Sequence, residues 1–269
     1  MIAQFHKMHG LGNDFVVIDA RDAPFPMSPA RAKAVADRRT GIGCDQLIML
    51  EPSASEDAKM RTWNADGSEV QICGNASRAV ALLLGKPATL ETNGGRISIA
   101  PDADGATVDM GLPRFDWDDI PLAYAMDTSA MPVGWELLET PIAVNIGNPH
   151  VIFFVDDATS IDLARLGPVI ENDPLFPERV NVNVATITGP SSLSLHVWER
   201  GAGLTRACGT GACATAVAAI RSKRVTSPVT VTLPGGDLTI AWAPGETIRM
   251  TGPAAHVFTG EIDWDTFGL

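Results

Sequence analysis

The sequence predicts an α+β protein (mixed α/β) of two pseudo-symmetric halves, each a curved, mostly antiparallel sheet around a central buried helix. Three observations predict it. Cys73-Gly74-Asn75-Ala76-Ser77-Arg78-Ala79-Val80-Ala81 and Cys208-Gly209-Thr210-Gly211-Ala212-Cys213-Ala214-Thr215-Ala216-Val217 repeat one another, each a cysteine, a glycine and a small polar residue opening an Ala/Val-rich helix. The cysteines stand 135 positions apart in 269 residues, about half the chain. The order of short strands and glycine loops in the first half recurs in the second. A duplicated fold with one thiol per half, facing across a cleft, is the simplest geometry.

The first half opens with strands over Met1–Phe5 and Phe15–Asp19, flanking the loop His9–Asp14 with its turn glycines and asparagine. Ser28-Pro29-Ala30 opens a helix to about Arg38, with a serine cap and proline in the first turn. Gly41-Ile42-Gly43-Cys44-Asp45-Gln46 is a second glycine loop, before the strand Leu47–Leu50. Pro52–Asp57 is a polar surface turn. Lys59–Trp63 is a strand that ends in the loop Asn64-Ala65-Asp66-Gly67-Ser68-Glu69. Cys73 and its helix, to about Leu84, follow. Thr89–Thr92, Ile97–Ala100 and Thr107–Gly111 are hairpin strands, with Asn93-Gly94-Gly95 and Asp102–Gly105 as turns.

Residues Pro113 to about Pro121 are acidic and proline-bounded, and read as the crossing between halves. Ile142–Ile146 then precedes the loop Gly147-Asn148-Pro149-His150, and Val151–Val155 is a strand. Ile161 to about Ile170 is a helix. Val180–Val184 and Leu193–Trp198 are strands, Glu199-Arg200-Gly201-Ala202-Gly203 a loop, and Cys208 with its helix comes next. The helices Ala79–Leu84 and Ala212–Ile220 are apolar or small on all sides, which predicts burial.

The bulk numbers exclude several classes. Hydrophobic content is 45% and charged content 19%, as in ordered globular proteins. No apolar run is long enough for a membrane span, and Met1-Ile2-Ala3-Gln4-Phe5-His6-Lys7 lacks the features of a signal peptide. The expected location is the cytoplasm, without membrane association. A net charge of −12 argues against nucleic acid as a partner, but allows an anionic small molecule held by a few local donors. The four cysteines, at 44, 73, 208 and 213, make neither a disulfide framework nor a C-x-x-C pair. His6-Lys7-Met8-His9 has no third ligand nearby, so no metal is expected.

Two opposed thiols can take a proton from one face of a carbon and return one to the other, which is cofactor-free racemisation or epimerisation. A carbon acid next to a carboxylate is very weak. Each pKa unit between it and its base costs about 1.36 kcal/mol, so a gap of order ten units means roughly 14 kcal/mol. The site must therefore stabilise charge building on the substrate carboxylate. Backbone N–H groups at a helix N-terminus do this. The same helix end lowers a thiol pKa. Gly74 and Gly209 let the backbone approach a ligand closely, and Asn75 and Thr210 add donors. Cys44, beside strand residues, and Cys213, inside its helix, read as small buried hydrophobes. Asn13, Gln46, Asn64, Asn148, Asn181 and Asn183 are loop amides suited to ammonium or carboxylate groups, though asparagine is also common in turns. Glu199-Arg200 suits the two charges of an amino acid. His150 alone reads as a packing residue.

The motifs in series resemble the diaminopimelate epimerase family: Lys7-Met8-His9-Gly10-Leu11-Gly12-Asn13-Asp14-Phe15; Gly41–Gln46; Asn64–Glu69; Cys73-Gly74-Asn75; Gly147–His150; Arg179-Val180-Asn181-Val182; Glu199–Gly203; and Ala207–Ala212. The resemblance implies an epimerase independent of pyridoxal phosphate, and without other cofactor, interconverting LL- and meso-diaminopimelate in lysine and peptidoglycan-precursor synthesis. It implies that Cys73 and Cys208 are the acid/base pair and that His150 and Glu199 are linked to catalysis. It further implies that Asn13, Gln46, Asn64, Asn148, Asn181, Glu199 and Arg200 contact substrate, with Gly74-Asn75 and Gly209-Thr210 on the α-carboxylate. It implies halves of 1–113 and 114–262, with the tail 263–269 returning to the first, and a homodimer. A tyrosine frequent at the family's dimer contact is Phe258 here. Where the family often has Gly-Ala-Arg-Cys or Ala-Thr-Arg-Cys after Cys-Gly-Asn, this chain has Ala76-Ser77-Arg78-Ala79, a small change on the helix.

Three alternatives compete. A proline or hydroxyproline racemase shares the two-thiol logic but tends to carry histidine where Asn75 stands. A redox or metal-binding protein would use the four cysteines, and their separation disfavours it. A binding module would hold the ligand without exchanging its α-proton.

Overall fold

The computed structural model describes residues 2–23, 25–70, 73–103 and 105–267. Met1, at the head of the first expected strand, Asp104 in the expected turn Asp102–Gly105, and Gly268 and Leu269 in the expected tail lie outside the described residues. The chain divides into two compact units, Met1–Asp109 with Gly252–Leu269, and Met110–Thr251. The expected division at 113/114 falls at 109/110, and the returning segment begins at Gly252 rather than at 263. The cause is a long C-terminal strand, Ala255–Asp263, that pairs antiparallel with the first strand of the chain.

The first unit contains β1 (Ile2–Gly10), β2 (Asn13–Asp19), α1 (Pro29–Ala36), β3 (Gln46–Glu51), β4 (Ala58–Asn64), β5 (Glu69–Val70), α2 (Gly74–Leu84), β6 (Ala88–Thr92), β7 (Gly95–Asp102) and β8 (Gly105–Asp109). The expected loop over 9–14 contracts to a two-residue hairpin turn. Gly10 pairs with Asn13, and Leu11 and Gly12 both have positive φ, 56° and 84°. That turn matches the twist of the flanking strands, so the ladder runs to its limit. The sheet order is C-terminal strand, β1, β2, β3, β4, β6, β7, β8. The β2–β3 and β4–β6 pairs are parallel and the others antiparallel, with β5 a short antiparallel flap on β4.

The second unit contains β9 (Gly134–Trp135), β10 (Leu138–Glu139), β11 (Ile142–Asn145), β12 (Pro149–Phe154), α3 (Leu163–Glu171), β13 (Asn181–Gly189), β14 (Ser192–Glu199), β15 (Gly203–Thr205), α4 (Gly209–Arg221), β16 (Val229–Leu233), β17 (Gly236–Ala241) and β18 (Arg249–Gly252); the C-terminal strand is β19. Its order is β11, β12, β13, β14, β16, β17, β18, again with two parallel pairs, β12–β13 and β14–β16. From β1 to β8 each strand has a counterpart from β11 to β18, α1 matches α3 and α2 matches α4. The repeated cysteine motif is thus one landmark of a duplication that extends over the whole topology.

Each parallel pair requires a crossover. In the first unit α1 supplies one and α2 the other. The α1 helix is capped by Ser28, whose side chain accepts from the Arg31 N–H, with proline at the first turn as its sequence predicts. It ends at Ala36, short of Arg38, and packs on β3 and β4. The α2 helix takes the opposite face and packs against β1, β2, β7, β8 and β19. The sheet is therefore covered on both faces, which is why β2 and β3 are buried over Phe15–Ile18 and Leu47–Leu50 without alternation. Val16, Ile18, Leu47 and Met49 join Val35 and Trp63 in a cluster with α1. By the period of two, Phe15, Val17, Ile48 and Leu50 face the other way. The second unit repeats this. Its α3 helix packs on β13, β14 and β15, over a cluster including Leu166, Ile170, Val182 and Val184. The α4 helix packs against β11, β12, β13, β14, β16 and β17. Residues Gly211–Ala219 are all buried, as a helix of small side chains inside a curved sheet requires.

Candidate active site

Each repeated cysteine is the N-cap of its unit's central helix, in extended backbone (φ −131° for Cys73, −117° for Cys208). The N–H groups of the first helical turn follow directly, at Gly74-Asn75 and Gly209-Thr210. The two caps differ. The Cys208 sulfur accepts from the Gly211 N–H at 3.3 Å, whereas Cys73 makes no side-chain cap bond.

In the first unit the Cys73 thiol donates to Gln46 Oε1 at 3.0 Å. Gln46 and Asn64 stand directly opposite on β3 and β4, so their amides meet, and Gln46 Nε2 donates to Asn64 Oδ1 at 3.0 Å. Asn64 Nδ2 donates to Ser68 Oγ at 3.1 Å, and Ser68 Oγ donates to the Asp66 carboxylate at 2.6 Å. A carboxylate only accepts, so every group in this series is oriented by Asp66. Its last member, Gln46 Oε1, can only accept from the thiol. Asn13, opening β2, meets Asn75, whose Nδ2 donates to Asn13 Oδ1 at 3.2 Å. Asn13 in turn donates to Asp45 at 3.0 Å.

Arg78 lies under this amide pair. It is fully buried, donates from Nη2 to Asn75 Oδ1 at 2.9 Å and from Nε to the Pro253 carbonyl at 3.3 Å. Its spacing of three from Asn75 puts both on one face of α2. The sequence carried a signal for it, a single arginine within a helix of small and apolar residues.

In the second unit Thr210 Oγ1 lies 3.4 Å from the Cys208 sulfur and accepts from Asn148 Nδ2 at 3.3 Å. His150 Nε2 is 3.0 Å from Asn148 Oδ1, and its Nδ1 is 3.0 Å from Asn183 Nδ2. Asn183 Nδ2 also donates to the Val151 carbonyl at 3.3 Å. Burial pulls the pKa of His150 down to about 3, with Arg200 lowering it further against the bond from Asn183. The ring is neutral at neutral pH and both its nitrogens are engaged by amides. Sequence resemblance implies a link to catalysis for His150, and in the structure its Nε2 meets the Asn148 side chain.

Glu199 ends β14 and is largely buried. Burial raises its pKa, and bonds from Thr205 and Cys208 pull it back. Thr205 Oγ1 donates to it at 2.5 Å. Burial and the facing Glu199 carboxylate both push the Cys208 thiol up, while Thr210 and Gly211 act in the opposite direction. The Glu199 carboxylate thus faces the Cys208 thiol, whose sulfur accepts the Gly211 N–H and lies beside the Thr210 hydroxyl. Asn181 Nδ2 donates to the Pro149 carbonyl at 2.8 Å, and its Oδ1 accepts the Arg200 N–H at 2.9 Å. Asn181 thereby ties the loop of Asn148 to that of Arg200.

Two groups escaped sequence reasoning. Glu171, at the end of α3, is buried, accepts from Trp198 Nε1 at 2.7 Å and from the Gly201 N–H at 2.9 Å, and so anchors both sides of Glu199-Arg200. Thr205 orients Glu199. Neither carries a local motif, since both act across elements. Cys44 and Cys213 are buried, and burial pushes the Cys44 thiol up to about 12. His6 and His9 lie three apart on β1, so their side chains leave opposite faces of the strand.

The family model described as Diaminopimelate epimerase matches residues 5–115 and 142–257. A Diaminopimelate epimerase of Sphingopyxis alaskensis is 66% identical over 268 residues, covering 100% of each chain. One of Rhizorhabdus wittichii is 66% identical over 270 residues, covering 100% of this chain and 98% of the other. Among solved structures, a Bacillus anthracis phenazine biosynthesis protein of the PhzF family superimposes with a TM-score of 0.69 at 14% identity, over 97% of this chain and 99% of that one. That likeness is one of fold alone. The sequence similarity runs through both cysteine motifs and over both units, and the chain belongs to the diaminopimelate epimerase family.

Proposed function

We propose that this chain is an isomerase that interconverts LL- and meso-2,6-diaminopimelate without a cofactor, using Cys73 and Cys208 as the two proton-transfer groups at one α-carbon. The observation that carries the reading is the matched pair of cysteine N-caps, each ahead of a glycine and a buried helix, in units of the same topology. The proline or hydroxyproline racemase alternative lacks this support, because the high-identity relatives are diaminopimelate epimerases.

In the reaction one sulfur, as thiolate, takes the α-proton, so a C–H bond breaks and an S–H bond forms. The electron pair passes into the carboxylate. The other thiol then delivers its proton to the opposite face of the same carbon. The N–H groups of Gly74-Asn75 and Gly209-Thr210 offset the charge that builds on the carboxylate oxygens. Glu199 takes the Cys208 proton when that sulfur must act as base. Asn13, Gln46, Asn64, Asn148, Asn181, Glu199 and Arg200 hold the amino and carboxyl groups of the substrate. His150 acts by holding Asn148. The setting is cytoplasmic lysine and peptidoglycan-precursor synthesis. The acting form is a homodimer, a reading supported by family membership and by the exposed Val257 and Phe258 on β19.

The test is α-proton exchange in deuterated water, with proline as the control substrate. LL-Diaminopimelate gains deuterium at one α-carbon without added cofactor, and Cys73→Ala and Cys208→Ala each abolish interconversion. Full activity in either variant, or exchange with proline alone, would overturn the assignment.

A further inference from the structure

Asn183 lies fully buried on β13, and nothing in the reaction above uses it. We propose that Asn183 is a positioning residue: by fixing the tautomer of His150 it turns the Thr210 hydroxyl, through Asn148, onto the Cys208 sulfur. That sulfur is thereby held as a hydrogen-bond acceptor, while Cys73 is held as a donor. The inference rests on the two-cysteine reading above.

The argument starts from one backbone carbonyl. The Val151 oxygen only accepts, so the group facing it at 3.3 Å is the NH2 of Asn183. The same NH2 faces His150 Nδ1 at 3.0 Å, so Nδ1 accepts and the ring proton sits on Nε2. Nε2 then donates to Asn148 Oδ1, which leaves Asn148 Nδ2 to donate to Thr210 Oγ1. The Cys208 S–H faces the Glu199 carboxylate, so the sulfur has no proton left for Thr210, and the Thr210 hydroxyl directs its own proton to the sulfur 3.4 Å away. A second observation supports the fixed sense. Asn183 Oδ1 is buried without a hydrogen-bond partner among the described residues, so the amide keeps this orientation although one of its atoms goes unsatisfied.

The series in the first unit has the opposite sense. There Asp66 is the terminal acceptor, and the oriented amides end in an oxygen facing the thiol. The other groups facing the second series are Glu199 at the end of β14, which accepts the thiol proton, and Arg200, whose charge disfavours protonation of the ring. Thr210 O–H and Gly211 N–H together thus stabilise the Cys208 thiolate once Glu199 has taken its proton.

The test needs no substrate. Nitrogen-15 spectra of the full-length protein report the His150 tautomer directly, and the expected form carries the proton on Nε2. In Asn183→Asp the new carboxylate can only accept, the proton moves to Nδ1, and the sense of the series reverses. Alkylation of Cys208 by iodoacetamide, read by peptide mapping in a Cys73→Ser background, then slows roughly fivefold. Thr210→Val slows it equally, Thr210→Ser restores it, and Asn183→Asp added to Thr210→Val causes no further loss. A wild-type ring protonated on Nδ1, or losses that multiply in the double variant, would overturn the proposal. Should Asn183→Asp fail to fold, the wild-type tautomer and the Thr210→Val against Thr210→Ser comparison still decide it. Failed deuterium exchange beside the expected tautomer would sink the reaction assignment alone; the reverse result would sink the positioning role alone.

Discussion

Cys73 donates its thiol proton to Gln46 Oε1 across 3.0 Å, and the Gln46 amide is locked in that sense by Asn64 on the facing strand. A neutral amide oxygen holds the proton on sulfur only weakly, so the thiol remains available for transfer. Gln46→Glu puts a negative charge on the same atom and makes the ionised thiol unfavourable. The expected result is a roughly tenfold or greater fall in Cys73 alkylation at neutral pH, and a matching loss of kcat. Mass mapping of iodoacetamide adducts checks it; unchanged reactivity would show that Gln46 does not govern this thiol.

Gly211 is the tightest point around the other sulfur. A Cβ there would stand 2.7 Å from Asn183 Oδ1, 3.1 Å from Val197 Cγ2 and 3.3 Å from the Cys208 sulfur. Asn183 is fully buried and cannot withdraw. Gly211→Ala therefore shifts the first turn of α4, costing about 1–3 kcal/mol of stability, and displaces the donor that faces the sulfur. Urea midpoints and kcat should fall together.

Much of this was legible in the sequence because it is written locally. The Ser28-Pro29 cap and the two Cys-Gly helix openings each act within a few residues, and those helices begin where their signals stand. The boundary between units was misread by four residues at one end and eleven at the other, because β19 is placed by its pairing with β1 from the far end of the chain. The amides of the site were visible as residues, but their grouping depends on register. Gln46 meets Asn64 only because β3 and β4 pair at those positions. Glu171 and Thr205 gave no sign at all, since each acts through another element on Glu199 or its loop.

Arg78 tests whether the α2 helix is a passive core element. Its guanidinium reaches Asn75 Oδ1 and the Pro253 carbonyl at once, through two different nitrogens. A lysine keeps the charge but offers one compact head and cannot span both in that plane. Arg78→Lys is expected to lower stability by about 1–3 kcal/mol through unsatisfied buried groups. It should also raise KM more than it lowers kcat, because Asn75 loses its orientation while Cys73 keeps its own. Steady-state kinetics beside a urea titration distinguishes the two effects; an unchanged KM would confine Arg78 to packing.

His150 links the site to stability through pH. Burial takes its pKa from 6.5 down to about 3. The unfolded chain gains a proton below about 6.5, while the folded protein resists until about 3. Between those values the unfolded state holds more protons, so stability is complete above the window and is lost as pH falls through it. Glu199 acts in the opposite sense. Its raised pKa makes the buried charge costly at higher pH, and that cost fades as pH falls. Asp14, held low by Arg38 and Lys7 against the cost of burial, contributes stability that is lost only below its ordinary value of 3.8. Unfolding measured between about pH 6.5 and 4.5 therefore carries the first two together with His6, whose pKa is also lowered by burial, and the His150 part, read by difference from His150→Gln, amounts to on the order of 2 kcal/mol. His150→Gln should flatten the decline, and Glu199→Gln should steepen it. If His150→Gln left the slope unchanged, the ring would be charging in the folded protein, and the neutral series from Asn183 to Thr210 could not exist at that pH.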